Sequence, residues 1–446
     1  LILGLFSCQK ELGGDDAPIN IPSSTTLTGT INTTTTLTAD KVWTLKGYVY
    51  VTDGAKLIIQ PGTTIISDIS EKGALCIERG AQIIAEGTAT KPIVFTSGRP
   101  AGERTPGDWG GIVILGRAKT NRTSEPTIEG GIGRPFGGTN DLDNSGVLKY
   151  VRIEYAGIAS MPNSEINALT LGGVGSGTII DNVQTIYAND DAFEFFGGTV
   201  NARNLYAFAT ADDDFDFDFG YTGTITNGVA KRDPQFVDNG DAGNGIECDN
   251  DGTGSTATPY THPKLFNMIL VGPNTSTALA NHNLGLRFRR ATQFTMKNSI
   301  IWGWMKGGLS LESNETAQFV KDGVSVFENN LNTFLATTTP DINIVDEFPP
   351  FVWKGKNVAA RYVKDFKDVI TKLKLSEYKI DIKDPAYIEQ DKGVAYAVFP
   401  VTLTYKEGDV KAHTDNGYQT VVFKKSNNGK WLIENSIWSI SNRTTK

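Results

Sequence analysis

Glu194, Asp216, Glu247 and Arg287 each sit at the centre of an apolar-x-apolar triplet: Phe193-Glu194-Phe195, Phe215-Asp216-Phe217, Ile246-Glu247-Cys248 and Leu286-Arg287-Phe288. In an extended strand successive side chains point to opposite sides, so the apolar partners face one way and the charged residues form a column facing the other. Thr170 and Ser310 extend that column at its two ends. Two residues further on lies a second outward column of Asp218, Asp249, Arg289 and Glu312, and the turns before the strands add Asp190, Asp191, Asp212, Asp213 and Asp214. Carboxylates stacked about 5 Å apart repel unless they are solvated, protonated or bridged by cations. Three chemistries answer that requirement. The first is a solvated face in which Arg287 and Arg289 close salt bridges to Glu247 and Asp249. The second is calcium, a hard ion that takes six to eight oxygens, with Asp190, Asp191, Asp214, Asp216, Asp218 and Asp249 as its ligands. The third is a polysaccharide hydrolase or lyase using Glu194, Asp216, Glu247 and Arg287, since carboxylates about 5 Å apart suit a retaining glycosidase. A permanently protonated Arg287 or Arg289 would hold a sugar carboxylate rather than remove a proton.

The elements that position these columns are legible as a repeat. The inward triplets from Leu169 to Leu309 are spaced 24, 22, 31, 40 and 23 residues, and a column of Asn182, Asn204, Asn227, Asn267 and Asn298 follows with spacings of 22, 23, 40 and 31. A base period of 22 to 24 residues fits one coil of a parallel β-helix, three short strands joined by turns, with loops inserted where the interval lengthens. An asparagine tolerates the left-handed conformation and can pair its amide with the one above and below, so the Asn column predicts a ladder of stacked turns. Upstream, Leu57-Ile59, Ile83-Ala85, Ile93-Phe95 and Ile112-Ile114 continue the inward pairs, which predicts a helix over residues 40–312. A jelly roll or sandwich also has many short alternating strands.

The segments GAKLIIQPGTTI, KPIVFTS, GDWGGIVILG, GVLKYVRIEYAG, LTLGGVGSGT and YANDDAFEFFGGTVN, in order between Gly54 and Asn201, resemble a family of cell-surface right-handed β-helix lipoproteins. The resemblance implies fold and location and supplies no activity. The opening LILGLFSC reads as a truncated secretory segment over residues 1–8 in which Leu5-Phe6-Ser7-Cys8 resembles the lipobox of bacterial lipoproteins. That resemblance makes Cys8 the lipidated residue, a polar, Thr-rich tether over 9–39, and an outer-membrane address with the protein exposed at the cell surface. More than one acyl chain anchors stably, at about 0.8 kcal/mol per buried methylene.

Composition narrows the partners. The chain of 446 residues has a formal net charge of −8, so it lacks the basic field that drives nucleic-acid binding. Three cysteines cannot make a disulfide framework. His262, His282 and His413 have no metal-ligand spacing and suggest no His-centred triad.

After Leu311 the rhythm changes and a junction over 313–340 leads to a second domain at 341–446. Val358, Tyr362, Phe366, Ile370 and Leu373 recur at helical spacing, and long alternating runs over 393–405, 410–424 and 430–441 predict an antiparallel meander. IVDEFPPFVWKG, AYAVFPVTLTY and GKWLIENSIWS resemble the nuclear-transport-factor-2-like, SnoaL-type domain, a small α+β cone around a pocket. The resemblance implies inspection of Asp346, Tyr362, Tyr396 and His413 as pocket residues. The chain thus reads as mainly β, a right-handed parallel β-helix followed by a cone-shaped α+β domain. The expected function is a surface-anchored binding or structural module with calcium-dependent glycan or adhesive contacts, its partners an extracellular polysaccharide or a surface protein. Its rivals are a carbohydrate-active enzyme on the acidic and Arg face and small-molecule chemistry in the cone.

Overall fold

The computed structural model describes residues 22–445 apart from 129, 162–163, 276, 305, 329, 331–337, 347–351, 355–357, 384, 409–410 and 426–430. Cys8 therefore lies outside the described residues. Among the described residues, twenty-five strands between Thr26 and Glu328 pair in parallel from one coil to the next. The pairings fall into three faces, here A, B and C, which the chain visits in that order.

Face A stacks Ala74–Ile77, Gly111–Leu115, Leu169–Gly172, Phe193–Phe196, Phe215–Asp218, Ile246–Cys248, Leu286–Phe288 and Ser310–Leu311. Faces B and C share the long strands Gly146–Glu154, Ile179–Ala188 and Asn201–Thr210, each bent at one residue. That corner is built by the asparagine column. Asn182, Asn204, Asn227, Asn267 and Asn298 have φ between 55° and 60°, and Tyr150 occupies the same corner one coil earlier at 50°. The Nδ2 of Asn227 donates to Asn204 Oδ1 and that of Asn267 to Asn227 Oδ1, both at 3.1 Å. At the start of the ladder the acceptor is a carboxylate: Asn182 and Asn204 both donate to Asp181 Oδ1.

The interior is a continuous apolar column. Phe193 stacks on Phe215 with ring centroids 5.4 Å apart, and Phe195 on Phe217 at 5.1 Å, close to the coil repeat. Each such side chain contributes about 1.5–3 kcal/mol by burial, and a stacked pair about 0.5–1.5 more. Trp109, Tyr221 and Trp304 are buried as well, so these aromatics pack the fold and offer no sugar-stacking row.

Both ends of the helix extend beyond their expected limits. Thr26–Ile31 pairs with Val42–Val51, and Thr35–Leu37 with Lys56–Ile59, so a first coil replaces the second half of the expected tether. Its threonines are β-branched and favour strands, while Leu27, Ile31 and Leu37 supply the inward side chains. At the other end, Asn314–Lys321 forms a helix capped by Ser313, whose side chain accepts from Thr316 N. The strand Val326–Glu328 then rejoins face B beside Thr295–Lys297.

The C-terminal part is a separate sheet ordered Val352–Trp353, Thr338–Val345, Trp431–Thr445, Lys411–Lys425, Val394–Glu407 and Leu375–Ile382, with Tyr387–Asp391 also pairing Val394–Glu407. Its long hairpins are antiparallel, and the helix Val358–Leu373 covers a small core of Ile344, Trp353 and Val358. The expected helix and meander are found within a few residues of their sequence limits.

Candidate ligand-binding face

The outward column of face A is in register from coil to coil: Cys76, Val113, Thr170, Glu194, Asp216, Glu247, Arg287 and Ser310. Its environment changes along the helix. Over the first coils the column is apolar, and two inserted segments lie on it, contributing Ile128, Ile132, Phe136 and Ile166 to a second hydrophobic core with Cys76, Val113 and Phe196. Tyr48 and Tyr50 anchor the first insert by donating to the carbonyls of Gly130 and Ile132. The column therefore does not stay exposed as far as Thr170 and Glu194. Thr170 is fully buried and Glu194 is 6% exposed, with Asn167 Nδ2 donating to its Oε2.

The turn preceding face A carries a second ladder. Asn167 Oδ1 accepts from Asp191 N, Asp191 Oδ1 from Asp213 N, Asp213 Oδ1 from Asn244 N, and Asn244 Oδ1 from Leu284 N, at 3.3, 2.7, 2.6 and 3.2 Å. Each member uses one side-chain oxygen to satisfy a backbone N–H of the next coil. Asp191 and Asp213, two of the five acidic residues of these turns, are thereby structural. The ladder was missed in the sequence, although its signal is there: every member stands two residues before the inward residue of its coil.

Asp191 also joins two groups of carboxylates whose oxygens lie within 4.8 Å of one another: Asp190, Asp191 and Asp212, and Asp191, Glu194 and Asp216. Burial raises the pKa of Asp216, and the charges of Glu194 and Glu247 raise it further. Asp191 is raised by burial and by Asp190, Asp213 and Glu194, and Asp212 by burial and Asp190. Both groups offer hard anionic oxygens from adjacent coils, a donor set that fits Ca²⁺. A divalent ion there would neutralise charges that otherwise repel by roughly 3 kcal/mol per pair at an effective dielectric constant of about 20.

Three members of the expected calcium set are placed elsewhere. Asp214 is fully buried against Arg232, whose Nε donates to Asp214 Oδ2 at 3.2 Å, and burial lifts its pKa to about 6. Asp218 turns to its own neighbour, accepting from Phe219 N at 2.6 Å. Asp249 is held by Arg289 Nε at 2.8 Å and Arg290 Nη1 at 2.7 Å. Glu247 lies between Arg287, 3.0 Å away, and Arg289, while Arg287 also reaches Glu312. The expected Arg bridges are thus formed, with Arg290 as an additional member. Burial and the nearby Asp213 still push Glu247 up to about 8 despite the two guanidinium groups.

The residues singled out in the C-terminal part separate into three places, Tyr396 standing exposed with its ring edge-on to Tyr387. Tyr362 donates to Asp346 Oδ2 at 2.6 Å beneath Trp353, which meets the Tyr362 ring edge to face. His413 belongs to another set, with Thr445, Glu407, Tyr405 and Asp415 around it. His262 spends both ring nitrogens on Gln293 and Thr295.

No curated protein matches the chain. Among solved structures, a chain titled as a substituted form of Rd1NTF2_05 is 19% identical over 23% of this chain and 76% of its own, with a TM-score of 0.17. The model of a family described as a pectate-lyase-like β-helix domain matches residues 29–360, the span that contains both acidic columns and all but the first residues of the coils, and the chain belongs to that family.

Proposed function

We propose that the partly open half of face A binds an extracellular polysaccharide in a calcium-dependent manner, on a protein held to the outer membrane by lipid at Cys8 and exposed at the cell surface. The observation that carries this reading is the convergence of Asp191, Glu194 and Asp216 from neighbouring coils, with Asp190 and Asp212 sharing Asp191. Arg287, Arg289 and Arg290 follow two coils beyond Asp216, past Glu247, and supply planar donors for a sugar carboxylate or hydroxyl groups. Titration calorimetry with Ca²⁺ on the chain from residue 22 onward, followed by glycan-array binding with and without calcium, tests the reading. Ca²⁺ binding lost in Asp216→Asn supports it. Equal glycan binding in calcium and in chelator sinks the calcium part, and no glycan binding in either sinks the whole.

A second reading has one observation in its favour. Glu247, its pKa pushed up to about 8 by burial and Asp213, stands in register with Asp216, the pairing of two carboxyl groups that a glycoside cleavage uses. Reducing-end release from acidic and neutral polysaccharides, abolished by Glu247→Gln while binding persists, would favour the enzyme over the binding module. For the C-terminal sheet we propose an NTF2-like domain that takes a small molecule or a partner beside the Asp346–Tyr362 pair.

A further inference from the structure

The turns that follow face A in the first coils carry charged residues that stack as the strands do. Asp53 follows Val42–Val51, Glu78 and Arg79 follow Ala74–Ile77, and Arg117 follows Gly111–Leu115, and these strands pair in register. The insert that covers face A adds Arg134 and Pro135, held in place because Ile132 and Phe136 on either side are buried in the second core. Together these six residues line a cavity of about 310 Å³, at the lower end of the size range of small-molecule sites. Gly80 makes the convergence possible: at φ 84° a side chain there would overlap Asp53 Oδ1 and Arg117 Nη2.

Three guanidinium groups line the cavity with two carboxylates, so the lining carries one net positive charge. Each guanidinium spends a single nitrogen on the protein. Arg79 Nη1 donates to Glu125 Oε1, outside the lining, at 2.7 Å and to the Gly137 carbonyl at 3.0 Å. Arg117 Nη2 donates to Asp53 Oδ2 at 3.0 Å, and Arg134 Nε to Glu78 Oε1 at 2.6 Å. Arg134 also lies over the Tyr50 ring, 4.4 Å from its centroid, which restricts its plane. Among the described residues the other guanidinium nitrogens of all three, and the oxygens Asp53 Oδ1 and Glu78 Oε2, have no hydrogen-bond partner. Exposed ion pairs contribute little. The side chains of Asp53 and Glu125 are 69% and 65% exposed, so their pairs offer weak competition to an incoming anion.

We propose that this cavity binds a small hydroxylated molecule bearing a sulfate or phosphate ester, its tetrahedral oxyanion held by the unspent N–H groups of Arg79, Arg117 and Arg134. A guanidinium is planar and donates in parallel pairs, the geometry that oxyanions accept. Asp53 Oδ1 and Glu78 Oε2 accept hydroxyl protons of the same ligand, because an ionised carboxylate only accepts. An inorganic anion makes only the first set of contacts and a neutral sugar only the second. The proposal is independent of the calcium and polysaccharide reading, because its residues belong to the first coils and their insert and none to the acidic turns.

The test is titration calorimetry of the full chain, in chelator, with glucose 6-phosphate, glucose 6-sulfate, inorganic phosphate, inorganic sulfate and glucose. The expected result is one site per chain for a sugar ester, tighter than for the matching inorganic anion, and no binding of glucose; the two ester arms tell phosphate from sulfate. Arg117→Gln and Arg134→Gln should each lower the ester affinity roughly tenfold to a hundredfold. Asp53→Asn keeps an acceptor and removes a repelling charge, so it should raise the affinity, and added salt should lower it. Circular dichroism of the variants separates lost binding from lost fold. No binding of either ester to the wild-type chain, binding of glucose as tight as that of the esters, undiminished ester binding in a folded Arg117→Gln, or weaker ester binding in Asp53→Asn overturns the proposal.

Discussion

The outward column of face A is one backbone register with two fates. Cys76, Val113 and Thr170 are buried beneath inserted segments, while Asp216, Glu247 and Arg287, a few coils later, remain partly open. The inward side chains are apolar and the pairing is parallel and in register in both halves, so the β-helix itself is indifferent to what points outward. The difference is made by what the corners carry. Ile128, Ile132 and Phe136 turn the first half into a second core, and among the described residues no apolar cover of that kind belongs to the acidic coils. A repeated scaffold can therefore hold a sealed region and a reactive one on the same sheet.

The strongest way to break this contrast is to remove the cover. Phe136→Ala empties a fully buried site against Phe196 and is expected to cost about 3–5 kcal/mol in denaturant unfolding. A matching loss from a residue on the open half would contradict the division.

Asp216→Asn probes the open half, with a sign opposite to that of an ordinary buried-site mutation. Without calcium it removes one of several clustered charges and should raise the melting temperature. With calcium at a hundred times its dissociation constant the wild type should gain about 2.7 kcal/mol and the variant little or nothing. The pH dependence sharpens the point. Asp191, Asp212, Asp213 and Asp216 have folded pKa values raised by burial and mutual repulsion, and Glu247 titrates near 8. Their protonated forms therefore contribute stability that is complete below about pH 4, where the unfolded groups titrate, and is lost as pH rises through the folded values. In chelator the melting temperature should fall from pH 5 to pH 8, and calcium should help more at pH 8. A flat profile in chelator would show that the carboxylates are already neutralised by other means.

Asp213→Ala separates structural acid from ligand acid. It leaves the Asn244 N–H without its acceptor and should cost about 1–3 kcal/mol, equally with and without calcium. Asn227→Ala, measured in the same unfolding experiment, should cost about 1–2 kcal/mol. It combines a left-handed backbone at φ 60° with the loss of both amide bonds that Asn227 makes in the ladder.

The period of the inward triplets and of the asparagines was enough to assign the coils, because stacking forces the same side chain into the same position once per turn. Both ladder and core were readable for that reason. The start of the helix was not, because threonine serves a polar tether and a β-strand equally, and only the pairing of Thr26–Ile31 with Val42–Val51 distinguishes them. In the acidic set, Asp190 and Asp191 lie with Asp212, and Asp191 and Asp216 with Glu194, whereas Asp214, Asp218 and Asp249 are taken by Arg232, Phe219 N, and the pair Arg289 and Arg290. Type and spacing place a carboxylate on a face, but they do not say which cation or backbone N–H reaches it first.

Sequence alone determined what is periodic and local: the strand alternation, the coil length, the left-handed asparagine corner, and the antiparallel runs beyond residue 390. Tertiary structure decided what depends on contacts between segments of irregular spacing. The inserted loops bury Glu194, Arg232 crosses to Asp214, and Glu407, His413 and Thr445 meet across three strands. A repeat fixes each residue's direction through the backbone, whereas its neighbour is set by the loop or strand that folds over it, and no periodicity encodes that.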